Sequence, residues 1–158
     1  MQETETQQNN LLNKRVGAML VATGVFSRVM ALQKYAQKKF EITPEQYLVL
    51  SIIMDSGGEL YQRQISEILY KDRPNVTRII NILEQKGLVK RTEDVNKRKV
   101  YKVSVTQDGI AMRNKIVPTM WELRAITARG ISEEDLEKTL KILEQMLKNM
   151  KEKVTLQI

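Results

Sequence analysis

The sequence contains no cysteine and no histidine. Without cysteine there is no disulfide, no thiolate metal site, no cysteine nucleophile and no thiol-based redox sensor. Without histidine the commonest general base and the commonest metal ligand are also missing. Carboxylates and lysines remain, but no phosphate-binding loop accompanies them, so an enzyme is disfavoured and no catalytic residue, cofactor or metal is assigned. No apolar run is expected to reach the ~18 residues of a membrane span. The first ten residues hold two glutamates and no Lys or Arg, the opposite of a secretory signal, so a cytoplasmic chain is expected.

What is present is basic charge, unevenly placed. The chain of 158 residues carries a net charge of +7. The stretch Tyr61 to Ser104 has eleven basic and five acidic residues, net +6, and the rest of the chain is close to neutral. A localised basic surface suits a polyanion, because each phosphate contact releases counterions. Charge alone fits a solvated basic face equally well.

Periodicity supplies the organisation. Leu11 to Lys39 reads as one long helix, with apolar residues at Val16, Leu20, Val25 or Phe26, Val29 or Met30, and Tyr35 or Ala36. At ~1.5 Å per residue it is ~45 Å long, more than a small domain needs, and helices of that length often pair with another chain. Thr43-Pro44-Glu45-Gln46 starts a second helix to about Asp55, with Leu48, Ile52 and Ile53 inward and Gly57-Gly58 as its stop. Glu59 to Tyr61 reads as a short strand. Gln62 to Tyr70 is a third helix burying Ile65, Ile68 and Leu69. After the break at Lys71, Asp72 caps a fourth helix whose inner face is Val76, Ile79, Ile80 and Leu83, and Gly87 ends it.

Leu88 to Thr92 and Lys99 to Val105 form a hairpin around the polar turn Glu93 to Arg98. Thr106 caps a fifth helix to about Ala128, with a bend expected at Pro118. Trp121 reads as a packing anchor and the methionines mostly as core filler. Ser132-Glu133-Glu134-Asp135 opens the last helix, its acids complementing the helix dipole. Leu136, Leu140, Leu143, Leu147 and Met150 give that helix a narrow apolar stripe suited to a bundle or a dimer.

Helix, tight turn, helix, charged hairpin is the order of a winged helix-turn-helix. A recognition helix must turn a polar, partly basic face to DNA while its other face holds it to the domain. The fourth helix leaves Arg73, Thr77, Arg78 and Asn81 outside. Arg73 or Arg78 can donate two hydrogen bonds to guanine, and Asn75 or Asn81 can read adenine. Arg63 lies just ahead of them, on the third helix. Lys97, Arg98 and Lys99 at the hairpin tip can reach phosphates or the minor groove. The fold class expected is therefore mainly α with a small β-hairpin wing, and terminal helices for dimerisation. The rival reading is a winged helix that meets an acidic protein and does not bind DNA specifically.

Asn75-Val76-Thr77-Arg78-Ile79-Ile80, Leu83-Glu84-Gln85-Lys86-Gly87-Leu88-Val89, Arg91, Asn96-Lys97-Arg98, and Val105-Thr106 with Gly109 resemble the signature of MarR-type transcriptional regulators. The resemblance covers essentially the whole chain. It implies a homodimer joined through the first, fifth and sixth helices, a pseudo-palindromic double-stranded DNA operator, repression, and often release by a small aromatic or anionic effector. It implies one domain: residues 1–10 disordered, 11–40 and 107–152 for dimerisation, and 43–106 as the DNA-binding lobe. Arg98 matches the family's wing arginine, and Arg73 to Arg78 match its groove-facing positions. Asn96 stands where the family usually has an aspartate, and Pro74 where it usually has a small polar residue, which puts the site preference in doubt. The absence of cysteine excludes the thiol-based peroxide sensors of that family.

Overall fold

The computed structural model describes residues 2–94 and 101–154. Six helices and three strands follow in the order α1 (Gln2–Lys38), α2 (Pro44–Asp55), β1 (Glu59–Tyr61), α3 (Gln62–Leu69), α4 (Arg73–Gln85), β2 (Val89–Glu93), β3 (Tyr101–Val105), α5 (Gln107–Ala128) and α6 (Glu133–Lys151). They fall into two compact units, Met1–Pro44 and Glu45–Ile158. The architecture is mainly helical with one three-stranded antiparallel sheet, as the residue pattern implies.

The first unit is α1 and the segment after it. The helix starts at Gln2, inside the stretch expected to be disordered, so the polar N-terminal residues extend the apolar helix as additional turns. It stops where Lys39 takes a positive φ of 52°, and Phe40 then packs edge-on against Tyr35 with ring centroids 5.1 Å apart. One correction concerns hydropathy. Counted as an uninterrupted run, α1 falls short of a membrane span. Averaged over 18 residues, Leu12–Lys38 has a mean hydropathy of 1.5, long and apolar enough to cross one. The difference arises because Thr23, Ser27 and Arg28 break a run while barely lowering an average. Met19, Val21, Val25 and Phe26 are all exposed in the single chain, Phe26 at 74%.

The second unit holds the core. α2 buries Gln46, Val49, Leu50 and Ile53, which stand at i, i+3, i+4 and i+7 and so share one face. Leu48, expected inward, lies off that face and is exposed, and Ile52 is only half-buried. In α3, Ile65 and Ser66 are buried and Leu69 half-buried, whereas Ile68, also expected inward, points to solvent. The inner face expected for α4 is confirmed: Val76, Ile79, Ile80 and Leu83 are all buried.

The sheet runs in the order β1-β3-β2, so the short strand and the hairpin form one surface with β3 in the middle. Leu60 and Arg91 both pair with Val103, which is fully buried. Where the hairpin hands over to α5, the junction is tied by hydrogen bonds. Thr106 caps α5 by accepting from the Gly109 N–H at 3.1 Å, and its hydroxyl donates to the Gly87 carbonyl at 2.6 Å. Gly109 is glycine for a packing reason: a Cβ there would lie 2.1 Å from the Leu88 carbonyl oxygen.

α5 runs on through Pro118 to Ala128, and Ser132 caps α6 by accepting from the Asp135 N–H. Trp121, expected to anchor α5, is 64% exposed, so its ring is not used for packing within the chain. The stripe of α6 is largely uncovered too, with Leu140 and Met150 more than half exposed and Leu147 half-buried. At the far end of α6, the Lys151 ammonium donates to the Tyr70 hydroxyl at 2.8 Å and sits 4.4 Å from its ring centre.

Candidate nucleic-acid interface

α3 and α4 are joined by Tyr70, Lys71 and Asp72, a connection too short to be anything but a sharp turn. Tyr70 makes it possible by adopting φ 51°, ψ 41°, the left-handed conformation more usual for glycine. Lys71 ties the turn to α2 through Glu45 at 3.3 Å. Asp72 then opens α4, its carboxylate accepting from the Asn75 N–H at 2.8 Å, with Pro74 in the first turn where no N–H is needed.

The outer face of α4 divides its polar side chains into engaged and available groups. Arg73 and Arg78 are exposed and enter no ion pair among the described residues. Arg78 has one long hydrogen bond, 3.3 Å to the Asn75 side-chain oxygen. Thr77 is turned inward: its hydroxyl donates to the Arg73 carbonyl at 2.8 Å and accepts from the Gln62 amide on α3. Asn81 is exposed but its oxygen is held by Arg91 at 2.5 Å. Arg63, on α3, pairs with Glu67 one turn on at 2.7 Å. Both partners are largely exposed, so the pair is weak and easily exchanged for a phosphate.

Lys97, Arg98 and Lys99, expected at the hairpin tip, lie outside the described residues, as do Val95, Asn96 and Val100. The strands that carry that turn are described. At their near end the Tyr61 hydroxyl donates to the Asp94 carboxylate at 2.5 Å, and this bond, with the negative charge beside it, raises the tyrosine pKa. Lys102 is raised as well, mainly by its 2.7 Å bond to Glu59. Both bonds join β1 to the hairpin.

Three further residues lie beside these groups. Gln62 holds Thr77. Lys90 is exposed on β2 and enters no ion pair among the described residues. Arg91 bonds Glu84 at 2.6 Å and Asn81, fastening β2 to the last turns of α4. The signal for Arg91 was available: an acid in the last turn of a helix and a base in the strand just past its glycine stop are brought side by side by the reversal of the chain.

A helix with one buried apolar face and one polar, basic face, preceded by a helix and a sharp turn and followed by a two-stranded wing, defines a winged helix-turn-helix of the DNA-binding kind. Comparison with known proteins agrees. Residues 40–99 match the family model for the MarR family. The fold superposes on the Staphylococcus aureus MepR–DNA complex with a TM-score of 0.75 at 25% identity, covering 84% of this chain and 96% of that one. It superposes on the transcriptional regulator SlyA with a TM-score of 0.71 at 25% identity, covering 90% and 95%. A mutant of Escherichia coli MarR bound to operator DNA shares the fold, with a TM-score of 0.75 at 18% identity, covering 84% and 94%. The family-model match over residues 40–99 and these structural matches support a winged-helix regulator of the MarR type.

Proposed function

We propose that this regulator is a repressor acting as a homodimer, with the two α4 helices entering successive major grooves of a pseudo-palindromic operator, about 34 Å apart. The observation that carries the reading is the division of α4. One face is buried to the last apolar residue, and the other presents Arg73 and Arg78 without carboxylate partners among the described residues. Such a helix is held rigidly by the domain and keeps its guanidinium groups for a ligand. Arg78 is assigned to base edges, Arg73 to the groove entrance, Lys97 to Lys99 to phosphates, and Arg63 to the flanking backbone. The protein would work in the cytoplasm, beside the DNA that it controls.

The dimer is supported by apolar surface that the single chain leaves uncovered. α1 exposes Met19, Val21, Val25 and Phe26, α5 exposes Trp121 and Ile126, and α6 exposes Leu136, Leu140 and Ile142. A soluble chain does not leave that much apolar surface in water. A second copy covering α1, α5 and α6 removes it. Release by a small aromatic or anionic ligand is the third part of the proposal. The structural neighbours supporting it are a regulator with bound 2,4-dichlorophenol and a Bordetella bronchiseptica regulator whose DNA binding is regulated by 6-hydroxynicotinic acid.

The test is a mobility shift against duplexes selected from a random pool and from genomic fragments, at several salt concentrations. Selective binding that falls steeply with salt is expected. Replacing Arg78 by Ala should weaken binding of the selected duplex roughly 5- to 100-fold, and weaken random duplex much less. Replacing Arg98 by Ala should weaken both alike and lower the salt slope by about one. If no duplex outcompetes random DNA and affinity ignores salt, the proposal fails.

A further inference from the structure

We infer that Arg91 is a positioning residue for DNA recognition, and that through it Asn81 meets DNA as a hydrogen-bond donor without reading adenine. The inference rests on the proposal that α4 is the recognition helix. Asn81 and Glu84 are three residues apart on α4 and therefore share a face. Arg91, from β2, spans both. One guanidinium nitrogen donates to the Glu84 carboxylate at 2.6 Å and the other to the Asn81 oxygen at 2.5 Å. The Arg91 backbone N–H adds a bond to the second Glu84 oxygen at 3.2 Å.

A guanidinium has donors and no acceptor, so the amide atom it faces must be oxygen. This fixes the amide's orientation by chemistry. The acceptor end of Asn81 is held against the protein by a charge-assisted bond, and the NH2 end is turned outward. Reading adenine takes both ends of the amide, oxygen to N6 and nitrogen to N7, in the plane of the base. The oxygen keeps a second lone pair, but the cation already bound to it disfavours another donor there, so the end left for DNA is the donor. The partner it suits is an acceptor present at every step of a duplex, a phosphate oxygen.

Lysine at position 91 keeps the charge but loses the planar fork, and one ammonium does not hold both acceptors in place. R91K should therefore bind the selected duplex roughly tenfold more weakly with an unchanged salt slope. N81A, at an exposed helical position with little risk to folding, should lose a similar factor on every duplex, whatever base occupies each position. The N81A/R91K double variant should be no weaker than N81A, because Arg91 acts through Asn81. A merely structural role would make R91K weaken binding equally in both backgrounds, and that result overturns the inference. So does loss of adenine preference at one position in N81A. If the unmodified protein selects no duplex at all, the reading of α4 itself has failed, together with everything drawn from it.

Discussion

Replacing Gly109 by alanine tests the joint between the wing and α5. The added Cβ would lie 2.1 Å from the Leu88 carbonyl oxygen and 2.6 Å from Val105 Cγ1. Ordinary contact begins near 3.4 Å, so the first clash exceeds an ångström. The valine methyl can turn aside. The carbonyl cannot do so freely, because it accepts from the Thr106 N–H at 3.1 Å, and the Leu88 N–H is bonded to the Leu83 carbonyl at 2.9 Å. Relief requires moving α5 away from the turn, which stretches the Thr106 bond and the Thr106–Gly87 bond with it. Overpacking costs ~1–3 kcal/mol, and a compromised backbone bond adds ~1 kcal/mol. A loss of about 3 kcal/mol follows, or a fall in Tm of roughly 6–12 °C for a chain of this size. The measurement is a circular-dichroism melt and a urea titration at fixed protein concentration, since association also shifts Tm. A Tm within ~2 °C of the parent would show that the joint yields cheaply and that the close approach of α5 to Leu88 is no constraint.

Two further perturbations address the wing root and the stem. Tyr61→Phe removes the hydroxyl that bonds Asp94. Because the Tyr61 pKa is raised in the fold, that bond stabilises fully below pH ~10 and is lost as pH climbs through the raised value. The parent should therefore melt above the variant at neutral pH, and the gap should close in alkali; a gap independent of pH refutes the assignment. Leu140→Asp combined with Leu143→Asp places charge on a stripe that is exposed in the single chain, at 57% and 39%. Sedimentation should then report monomer at micromolar concentration with helicity retained, and an undisturbed dimer would remove α6 from the proposed interface.

How far the sequence discloses this protein differs from element to element. α4 was legible throughout, because Asp72, Pro74, the Val76–Leu83 spacing and Gly87 all specify the same helix and the same buried face. α2 was legible as a helix but not in its facing. Its residues are apolar nearly all round, so Leu48 and Val49 are alike by composition, and only contact with the rest of the unit decides which is buried. Trp121 failed for a related reason: exposure in a single chain depends on what covers it, and residue type carries no information about a second copy. The side chains of the candidate site were legible as a list and not as a network. Thr77 and Asn81 are polar and outward by periodicity, yet each is held by a residue from another element, Gln62 from α3 and Arg91 from β2. Pairing across elements has no signature in local spacing.

That network changes what the charge count means. Of the basic residues between Tyr61 and Ser104, Arg63, Lys71, Arg91 and Lys102 are bonded to carboxylates, while Arg73, Arg78, Lys86 and Lys90 enter no ion pair among the described residues. All eight contribute to the long-range field that draws in DNA. On the proposed reading the second four can meet DNA without first breaking an ion pair, and they lie on α4, just past its end and on β2. The start of α4 adds a constraint of its own. A helix N-terminus ordinarily offers N–H groups to phosphate. Here Asp72 accepts from the Asn75 N–H, and its negative charge sits where a phosphate would approach. Phosphate must then be held by side chains, Arg73 first, and replacing Asp72 by Ser should keep the cap while removing the repulsion. The variant should bind selected and random duplex alike more tightly, by a factor that shrinks as salt is raised. An unchanged or weaker affinity would mean that Asp72 does not face the backbone, and that α4 enters DNA at another angle.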